Sequence, residues 1–486
     1  AGNSCGDADQ QAQDDIDLFI DGGVPTGKYS KLTAGDTSPC VIAQGGELFC
    51  WGHVKTGNSS ITRLGNQATV PTKKEGLGVV RDVDTGRRHS CALKDDGTVW
   101  CWGRNDWGIL GNGSTNSYGS TTPVKVQGVE DAVRVKVGLS KSCALRNDKT
   151  LLCWGGGYAG GLGNGSEDNQ YTAQAVSGLE NSVTDFDVYT SVCAVRADGT
   201  VSCAGKGPVV RAQDGDGNFI KQMTHQKLDG LSGVKHISLE WKHACALTNS
   251  DKVYCWGDDP LDRERKNLAP YEVAGFAGAQ QLSVGKGGAC VTKADGSAWC
   301  WGEGRNGRLG NGDTTDADSP VQVADSGIKF SNVSAGHGLS YTCGLKLDGS
   351  AWCWGMNNTS GFVKGQTGTG ADAENVLTPR EILTPDGVGG SDPNTCTLDG
   401  VTLADGDSHT FHSTGRPSDC DSSCSDFSLK RTCEDGTLTG DSGFDIANCS
   451  ERTDCGTGAS CRTIDGEVKP DGWRGELFGA PSVSCL

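Results

Sequence analysis

Cysteine is the residue whose spacing predicts the most definite chemistry in this chain of 486 residues. At seven places a cysteine is followed ten positions later by a second cysteine. This constant separation favours disulfide bonds, because paired zinc ligands usually lie only about two to four residues apart. Disulfides persist in oxidising compartments, so we expect a secreted or cell-surface protein. The predicted disulfide residues are Cys40 with Cys50, Cys91 with Cys101, Cys143 with Cys153, Cys193 with Cys203, Cys245 with Cys255, Cys290 with Cys300, and Cys343 with Cys353.

The residues between the paired cysteines predict a β-hairpin. In the second copy, two short apolar runs flank an Asp-Asp-Gly turn that ends at Gly97. The last residue of such a three-residue loop takes a positive φ, which glycine adopts without steric cost. Two copies carry Lys149 and Asp251 at this position, where we expect strain. A loop of this length places Cys91 directly opposite Cys101, within disulfide range.

Each cysteine pair belongs to a longer repeat, and successive pairs start 45 to 53 residues apart. An alternating apolar run precedes each pair, as in Val-Asp-Thr-Gly at 83–86. A glycine-rich loop and a proline with alternating valines follow, as in Pro-Val-Lys-Val-Gln at 123–127. Four strands in a repeat of this length are typical of a propeller blade. We therefore predict an all-β protein whose seven copies span residues 28–392.

The loop after the paired cysteines carries a recognisable motif. Residues 102–113 read Trp-Gly-Arg-Asn-Asp-Trp-Gly-Ile-Leu-Gly-Asn-Gly, and residues 301–312 follow nearly the same pattern. This pattern resembles the repeat of the regulator of chromosome condensation (RCC1) family. The resemblance implies a seven-bladed β-propeller. The nuclear, chromatin-bound founder of that family is a poor match for a disulfide-bonded acidic chain, whereas secreted bacterial members, which include an inhibitor of β-lactamases, are similar in architecture.

The rest of the chain predicts two smaller segments. Residues 1–27 form an N-terminal leader segment, and residues 393–486 form a small disulfide-rich β-module that contains eight cysteines. The total of 23 cysteines is odd, so at least one is free, modified or bonded to another chain. Cys5 is one candidate, but counting does not choose between it and a C-terminal cysteine. Because export requires a signal peptide, we expect that Ala1 begins a processed chain.

Composition narrows the range of partners. The net charge is −18 at pH 7, and no basic patch of the kind that binds nucleic acid stands out. Nucleic acid and anionic membrane surfaces are therefore disfavoured. No run approaches the roughly 18 apolar residues of a transmembrane helix.

The fourth repeat contains the one metal-binding pattern that the sequence suggests. Asp214, Asp216 and Asn218 place oxygen ligands at alternate positions, as calcium loops do. The twelfth position of such a loop would be His225 instead of a bidentate glutamate. Calcium is thus the only cofactor predicted, and the alternative is a polar turn.

Candidate contact residues come from the loop that follows each Trp-Gly. Trp107 replaces a small residue of the motif, and an exposed aromatic side chain is a useful contact for a protein or a sugar. The loop asparagines Asn112, Asn164 and Asn311 are further binding candidates. The tryptophans that directly follow the second cysteines recur in six repeats, so we predict that they pack in the core.

No sequence feature points to catalysis. Histidines such as His89 and His243 recur by repeat, whereas a catalytic histidine is expected once. We therefore predict a non-enzymatic binding module, adhesin-like or pilus-associated, that recognises a protein or glycan through its propeller loops. One alternative is a structural subunit of a filament or surface layer, joined by self-association or an intermolecular disulfide. Another, from the family resemblance, is an inhibitor of a secreted enzyme.

Overall fold

The chain divides into two compact units, Ala1–Gly387 and Val388–Leu486. The predicted leader, including Cys5, lies outside the residues that the structure describes. The computed structural model describes residues 29–36, 38–53, 67–214, 216–258, 266–323, 327–338, 340–359, 363–369 and 375–383, together with strands between residues 395 and 469.

The first unit is a ring of four-stranded antiparallel sheets, and in each sheet the four strands follow one another along the chain. Seven such sheets are present among the described residues, which confirms the predicted all-β, seven-bladed propeller. The strands of blades one to four are β1 (Tyr29–Ala34), β2 (Pro39–Ala43), β3 (Leu48–His53) and β4 (Gln67–Lys73); β5 (Val80–Thr85), β6 (His89–Lys94), β7 (Val99–Gly103) and β8 (Ser120–Lys125); β9 (Ala132–Val137), β10 (Lys141–Arg146), β11 (Leu151–Gly155) and β12 (Gln170–Ala175); and β13 (Val183–Val188), β14 (Val192–Arg196), β15 (Val201–Gly205) and β16 (Gln222–Lys227).

The remaining blades repeat this arrangement, with a short extra hairpin, β28 and β29, inserted before the last strand of blade seven. The strands of blades five to seven are β17 (Val234–Leu239), β18 (His243–Thr248), β19 (Val253–Asp258) and β20 (Lys266–Val273); β21 (Ala279–Gly285), β22 (Gly288–Lys293), β23 (Ala298–Gly302) and β24 (Ala317–Gln322); and β25 (Phe330–Ala335), β26 (Tyr341–Lys346), β27 (Ala351–Gly355), β28 (Asn358–Thr359), β29 (Val363–Lys364) and β30 (Val376–Glu381).

All seven predicted disulfides are formed between the second and third strands of the blades. In blade two Cys91 pairs with Cys101 across the ladder, and their Cα atoms are 4.1 Å apart. The turn is the expected three-residue loop, and Gly97 has a φ of 75°. Lys149 and Asp251 also take positive φ values, 65° and 60°, so the expected strain is present at both turns.

The repeated tryptophans are buried, as predicted, and they join neighbouring blades. The Trp154 indole N–H donates to the Ile109 carbonyl of blade two at 3.0 Å, and Trp354 donates to the Arg308 carbonyl of blade six at 2.9 Å. The loop after each Trp-Gly therefore packs on the tryptophan of the following blade. Short 3-10 helices occur in three of these loops: Asp106–Gly108, Tyr158–Gly160 and Arg305–Gly307.

The first strand of each blade lines the central axis and is the inner edge of its sheet. Its free N–H groups face the preceding blade, and an unpaired edge would be costly. One side chain per blade, opposite the first cysteine of the pair, contacts the next blade and forms what we call the inner ring. In blade six, Ser283 accepts the N–H of Ala335 at 3.0 Å. The inner ring consists of Thr33, Asp84, Lys136, Asp187, Ser238, Ser283 and Ser334.

Among the described strands, blade seven closes onto blade one without exchanging a strand. The Tyr341 hydroxyl donates to the Gly35 carbonyl at 2.6 Å, and the Trp51 indole N–H donates to the Gln366 carbonyl at 2.9 Å. A single apolar cluster spans this junction. Its fully or nearly buried members are Tyr29, Leu32, Ala34, Val41, Phe49, Trp51, Tyr341, Cys343, Leu345, Ala351, Cys353 and Ile382.

The second unit contains short antiparallel pairings among its described residues. Its strands are β31 (Thr395–Leu398), β32 (Val401–Ala404), β33 (Ser408–Ser413), β34 (Phe427–Glu434), β35 (Thr437–Gly440), β36 (Cys461–Arg462) and β37 (Val468–Lys469). The β33, β34 and β35 strands form one sheet.

Candidate functional site

The antiparallel order of the strands gives the propeller two different faces. The loop between the first and second strands (first loop) and the loop between the third and fourth strands (third loop) emerge together on what we call the loop face. The disulfide-bonded hairpin turns and the connections between blades emerge on the opposite side, the turn face. The two faces differ in composition.

Exposed aromatic side chains concentrate on the loop face. Trp107 and Tyr118 lie on the third loop of blade two, Tyr158 on that of blade three, and Trp241 on the first loop of blade five. Their exposed fractions are 44%, 66%, 80% and 59%. Tyr271, on the outer strand β20, is the one other exposed aromatic among the described residues. Tryptophan and tyrosine are the residue types that most often dominate binding energy at protein interfaces.

Trp107 is held rigidly in an unusual backbone conformation. Its φ is 62°, in the left-handed region that a bulky residue rarely occupies. The Arg88 guanidinium lies 4.9 Å from the ring centroid, which is within cation–π range. Asp106 binds both Arg88, at 2.9 Å, and Arg104, at 2.7 Å. One side of the indole is therefore fixed while the rest faces solvent.

The three candidate asparagines have a role inside their own loops. The Asn112 side chain accepts the N–H of Ser114 at 3.2 Å, and Asn164 accepts that of Ser166 at 3.1 Å. Asn311 makes a longer contact of 3.5 Å with the Asp313 N–H and a side-chain hydrogen bond with the Asp313 carboxylate. These bonds are typical of Asx turns. Nothing in the geometry brings the three asparagines together, and their role in binding stays a prediction.

The seven first loops surround the axis at the centre of the loop face. The first residue after the inner strand, or after the glycine that follows the strand, differs from blade to blade. We call this set the axial mouth. It consists of Asp36, Arg87, Leu139, Tyr189, Glu240, Lys286 and His337.

Contacts across the axis show that the axial mouth is one cluster. The Tyr189 and His337 rings, from blades four and seven, stack with centroids 5.4 Å apart and an interplanar angle of 21°. Arg87 Nε lies 3.9 Å from Asp36 Oδ2. Burial, followed by the nearby Asp36 and Glu240 carboxylates, raises the pKa of the Tyr189 phenol. The phenol therefore stays protonated.

Two buried carboxyl groups form the floor of the axial mouth. Asp36 is 2% exposed and Glu240 is 8% exposed. Burial raises the pKa of the Glu240 carboxyl to about 7, although backbone N–H groups of Lys242 and Trp241 oppose the rise. The Asp36 carboxylate adds to it. Desolvation and a neighbouring carboxylate both disfavour the ionised form of Glu240.

The proposed calcium ligands form a self-contained turn. Asp214 Oδ1 accepts the backbone N–H of Asp216 at 3.0 Å and that of Asn218 at 2.9 Å. The Asn218 side-chain amide donates to the other Asp214 oxygen at 3.2 Å. These bonds are those of a polar turn, and they lower the pKa of Asp214. Within the described ranges, no group of three His, Cys, Asp or Glu side chains is placed to hold a metal ion.

Carboxylates on the turn face also serve the turns. Asp96 accepts both the hydroxyl and the backbone N–H of Thr98, which lowers the pKa of Asp96 to about 2. The same bond from a Ser or Thr two positions later recurs in four other hairpin turns. A shallow cavity of about 440 Å³ between the turns of blades two and three contains no buried polar side chain.

The sequence predicted an exposed side chain at Trp107, and the structure shows one, but the sequence did not predict the axial mouth. Trp241 and the residues after each inner strand belong to no recognisable motif. They could have been noticed only because they differ from blade to blade, while the residues around them are similar in every repeat. The histidines divide between two roles. His89 lies 2.5 Å from the Ser142 hydroxyl of the next blade, whereas His337 lies in the axial mouth.

Across the described part of the chain, no helix is long and apolar enough to cross a membrane.

Comparison with known proteins agrees with this geometry. Profiles of the regulator of chromosome condensation (RCC1) repeat match residues 80–108, 96–145, 234–260 and 295–343. The fold and the matched residues define a seven-bladed β-propeller that contains RCC1 repeats.

The curated relatives match part of this chain. The chain is 28% identical over 244 residues to the human E3 ubiquitin-protein ligase HERC2, a match that covers 48% of this chain and 5% of HERC2. It is 29% identical over 237 residues to the ultraviolet-B receptor UVR8 of Arabidopsis thaliana, covering 46% of this chain and 52% of UVR8. The chain thus matches at most about half the length of these two relatives.

Solved structures show the same fold at low sequence identity. Yeast RCC1 (Prp20) in its complex with Kap60 superposes with a TM-score of 0.60 at 19% identity, covering 75% of this chain and 87% of that one. Human WBSCR16 gives a TM-score of 0.58 at 17% identity, covering 70% and 95%. A structure of Prp20p from Saccharomyces cerevisiae is described together with its binding to Gsp1p and histones.

Proposed function

We propose that this chain is an extracellular binding module, secreted or attached to a cell surface, that recognises a protein partner through its loop face. The observation that carries the proposal is the gathering of exposed aromatic side chains on that face, with Trp107 fixed against Arg88. Trp, Tyr and Arg are the usual centres of binding energy in protein interfaces.

The compartment is inferred from the disulfides. Seven disulfides within hairpins are typical of proteins that work in an oxidising environment. In that setting an adhesin-like or pilus-associated subunit is the role we favour. An inhibitor of a secreted enzyme would use the same face, but it would bind one partner tightly.

The test compares two exposed apolar side chains on opposite faces. The full chain, produced with its disulfides, is immobilised and presented with surface proteins from its native source. Trp107→Ala should weaken retention of the bound protein more than about tenfold, as loss of an interface hot spot does. Leu347→Ala, on a hairpin turn where the side chain is 56% exposed, should leave retention unchanged. Equal effects of both substitutions would contradict the proposal.

A structural role in a filament is the second candidate, because the odd number of 23 cysteines leaves at least one without a disulfide partner in the same chain. A bond from that cysteine to another chain would join neighbouring subunits. Electron microscopy of native material before and after reduction distinguishes the two. Filaments or sheets that loosen on reduction would favour the structural role, and discrete propellers in both states would exclude it.

A further inference from the structure

We propose that the axial mouth binds a cationic side chain, the ammonium of a lysine or the guanidinium of an arginine, on the partner protein. The inference rests on the proposed function for the statement that the partner is a protein. The chemistry of the pocket itself stands on the contacts below.

The floor carries an incompletely paired carboxylate. Asp36 is 98% shielded from solvent, and its Oδ1 has no hydrogen-bond partner among the residues that the structure describes. The one ion pair to its other oxygen, from Arg87 Nε, is long at 3.9 Å. The Arg87 side chain is 63% exposed, so its charge is largely solvated. The Tyr189 hydroxyl also donates a hydrogen bond to the Asp36 carboxylate. With no close cation among the described residues, the buried carboxylate is still costly, and a bound cation would lower that cost.

A second carboxyl group lies beside the first. Glu240 accepts the backbone N–H of Lys242 at a long 3.4 Å, and His243 Nδ1 lies 3.8 Å from its Oε2. The elevated pKa of Glu240 has Asp36 among its causes, which places the two carboxyls in one electrostatic environment. Near neutral pH the Glu240 carboxyl is therefore partly protonated, whereas an exposed glutamate would be ionised.

The walls suit a cation with an aliphatic or planar end. Tyr189 and His337 stack against each other, Tyr189 contacts Asp36, and Trp241, next to Glu240 in the chain, is 59% exposed. Aromatic faces attract ammonium and guanidinium groups, most strongly where water is excluded. The Nδ1 atom of His337 is buried without a hydrogen-bond partner in the described part of the chain.

Other ligands fit less well. An anion would meet two carboxyl groups at the floor. A metal ion prefers several ligands, and no group of three suitable side chains occurs among the described residues. Lys286 and Arg87 stand at the rim with exposed charges, and Lys286 makes only a 3.4 Å contact with the Gly338 carbonyl. Both can turn outward at little desolvation cost when a ligand enters.

The test uses defined probes with the full, disulfide-bonded chain. Nα-acetyl-lysine methylamide and Nα-acetyl-arginine methylamide are titrated by calorimetry near neutral pH, with Nα-acetyl-glutamine methylamide as the neutral probe. We expect saturable binding of at least one cationic probe and none of the neutral one. Binding should release a proton, because the cation favours ionised Glu240, and the heat should therefore depend on the ionisation enthalpy of the buffer.

Two isosteric variants and one control complete the test. Asp36→Asn and Glu240→Gln should each lower the probe affinity more than about tenfold, since each removes a buried charge partner. Asp313→Asn removes an exposed carboxylate from the same face and should leave the affinity unchanged. Melting curves confirm folding, and if Asp36→Asn does not fold, Glu240→Gln decides.

The absence of binding by both cationic probes to the folded wild-type chain would overturn the inference, as would binding that neither variant alters. If calcium or potassium alone displaced the probes completely, the axial mouth would be a site for an inorganic ion, and the inference would be wrong. The probe titrations do not involve Trp107. The retention experiment therefore tests the protein-partner proposal independently of the cation site.

Discussion

Trp107 occupies a backbone position for which its side chain is poorly suited. Ala159 and Asn306 take the same place in the loops of blades three and six, with φ values of 59° and 61°, so the loop itself requires the left-handed conformation. A non-glycine residue there costs about 1–2 kcal/mol. A large aromatic residue at a strained site is consistent with a functional demand that outweighs stability.

Two single substitutions of Trp107, to glycine and to alanine, test this view. Because glycine takes a positive φ freely, Trp107→Gly should be more stable than Trp107→Ala by about 1 kcal/mol, and both should lose partner binding. Ala159→Gly is the matched control and should gain a similar amount. Thermal and denaturant unfolding measure the difference. If the glycine variant proves the less stable of the two, the strain argument is wrong.

Glu240 makes the stability of the chain depend on pH. Its pKa is raised from 4.5 to about 7 in the folded protein, so folded Glu240 keeps its proton where the unfolded chain has lost it. The folded state therefore loses stability as the pH rises from about 4.5 through 7, by roughly 3 kcal/mol at most.

Glu240→Gln should remove this dependence. We expect the variant to be more stable than the wild type by about 1–3 kcal/mol at pH 8 and nearly equal at pH 4, since the neutral amide resembles the protonated acid. Melting temperatures across this range provide the measurement. Asp313→Asn serves as the control, and a difference at pH 4 as large as that at pH 8 would refute the explanation.

At the scale of the blade, more of the structure could be predicted from the sequence than at the axial mouth. The Cys-to-Cys separation and the turn glycine were enough to predict the hairpin, its register and the disulfide, because all three follow from local chain geometry. The inner ring was not predicted. Ser283 and Asp187 have the same place in the repeat but different chemistry, and only the assembled ring shows that both accept an N–H from the next blade.

The inner ring predicts a specific cost when one member is removed. Ser283→Ala would leave the Ala335 N–H of the inner edge without its acceptor, which should lower the free energy of unfolding by about 1–3 kcal/mol. Ser177→Ala, at an exposed position between blades, should change it little. Denaturant unfolding compares the two, and similar values for both would show that the contact is unimportant.

At the scale of the whole molecule, the candidate site cannot be recognised from the repeated pattern of the sequence. The recurring motif predicted the number of blades and the buried tryptophans because those features are the same in every copy. The axial mouth depends on residues such as Tyr189 and His337, which are 148 positions apart in the sequence yet stack across the axis. No spacing rule could pair them, since the closure of the ring brings them together.

The central claim concerns the two faces of the propeller: partners bind on the loop face. The most direct test is hydroxyl-radical footprinting of the full chain, free and in complex with the protein it retains. The account predicts that Trp107, Tyr158 and Trp241 become protected, while Leu347 and Val79 on the turn face react as before. Protection of Leu347 and Val79 with the three aromatic residues still reactive would contradict it.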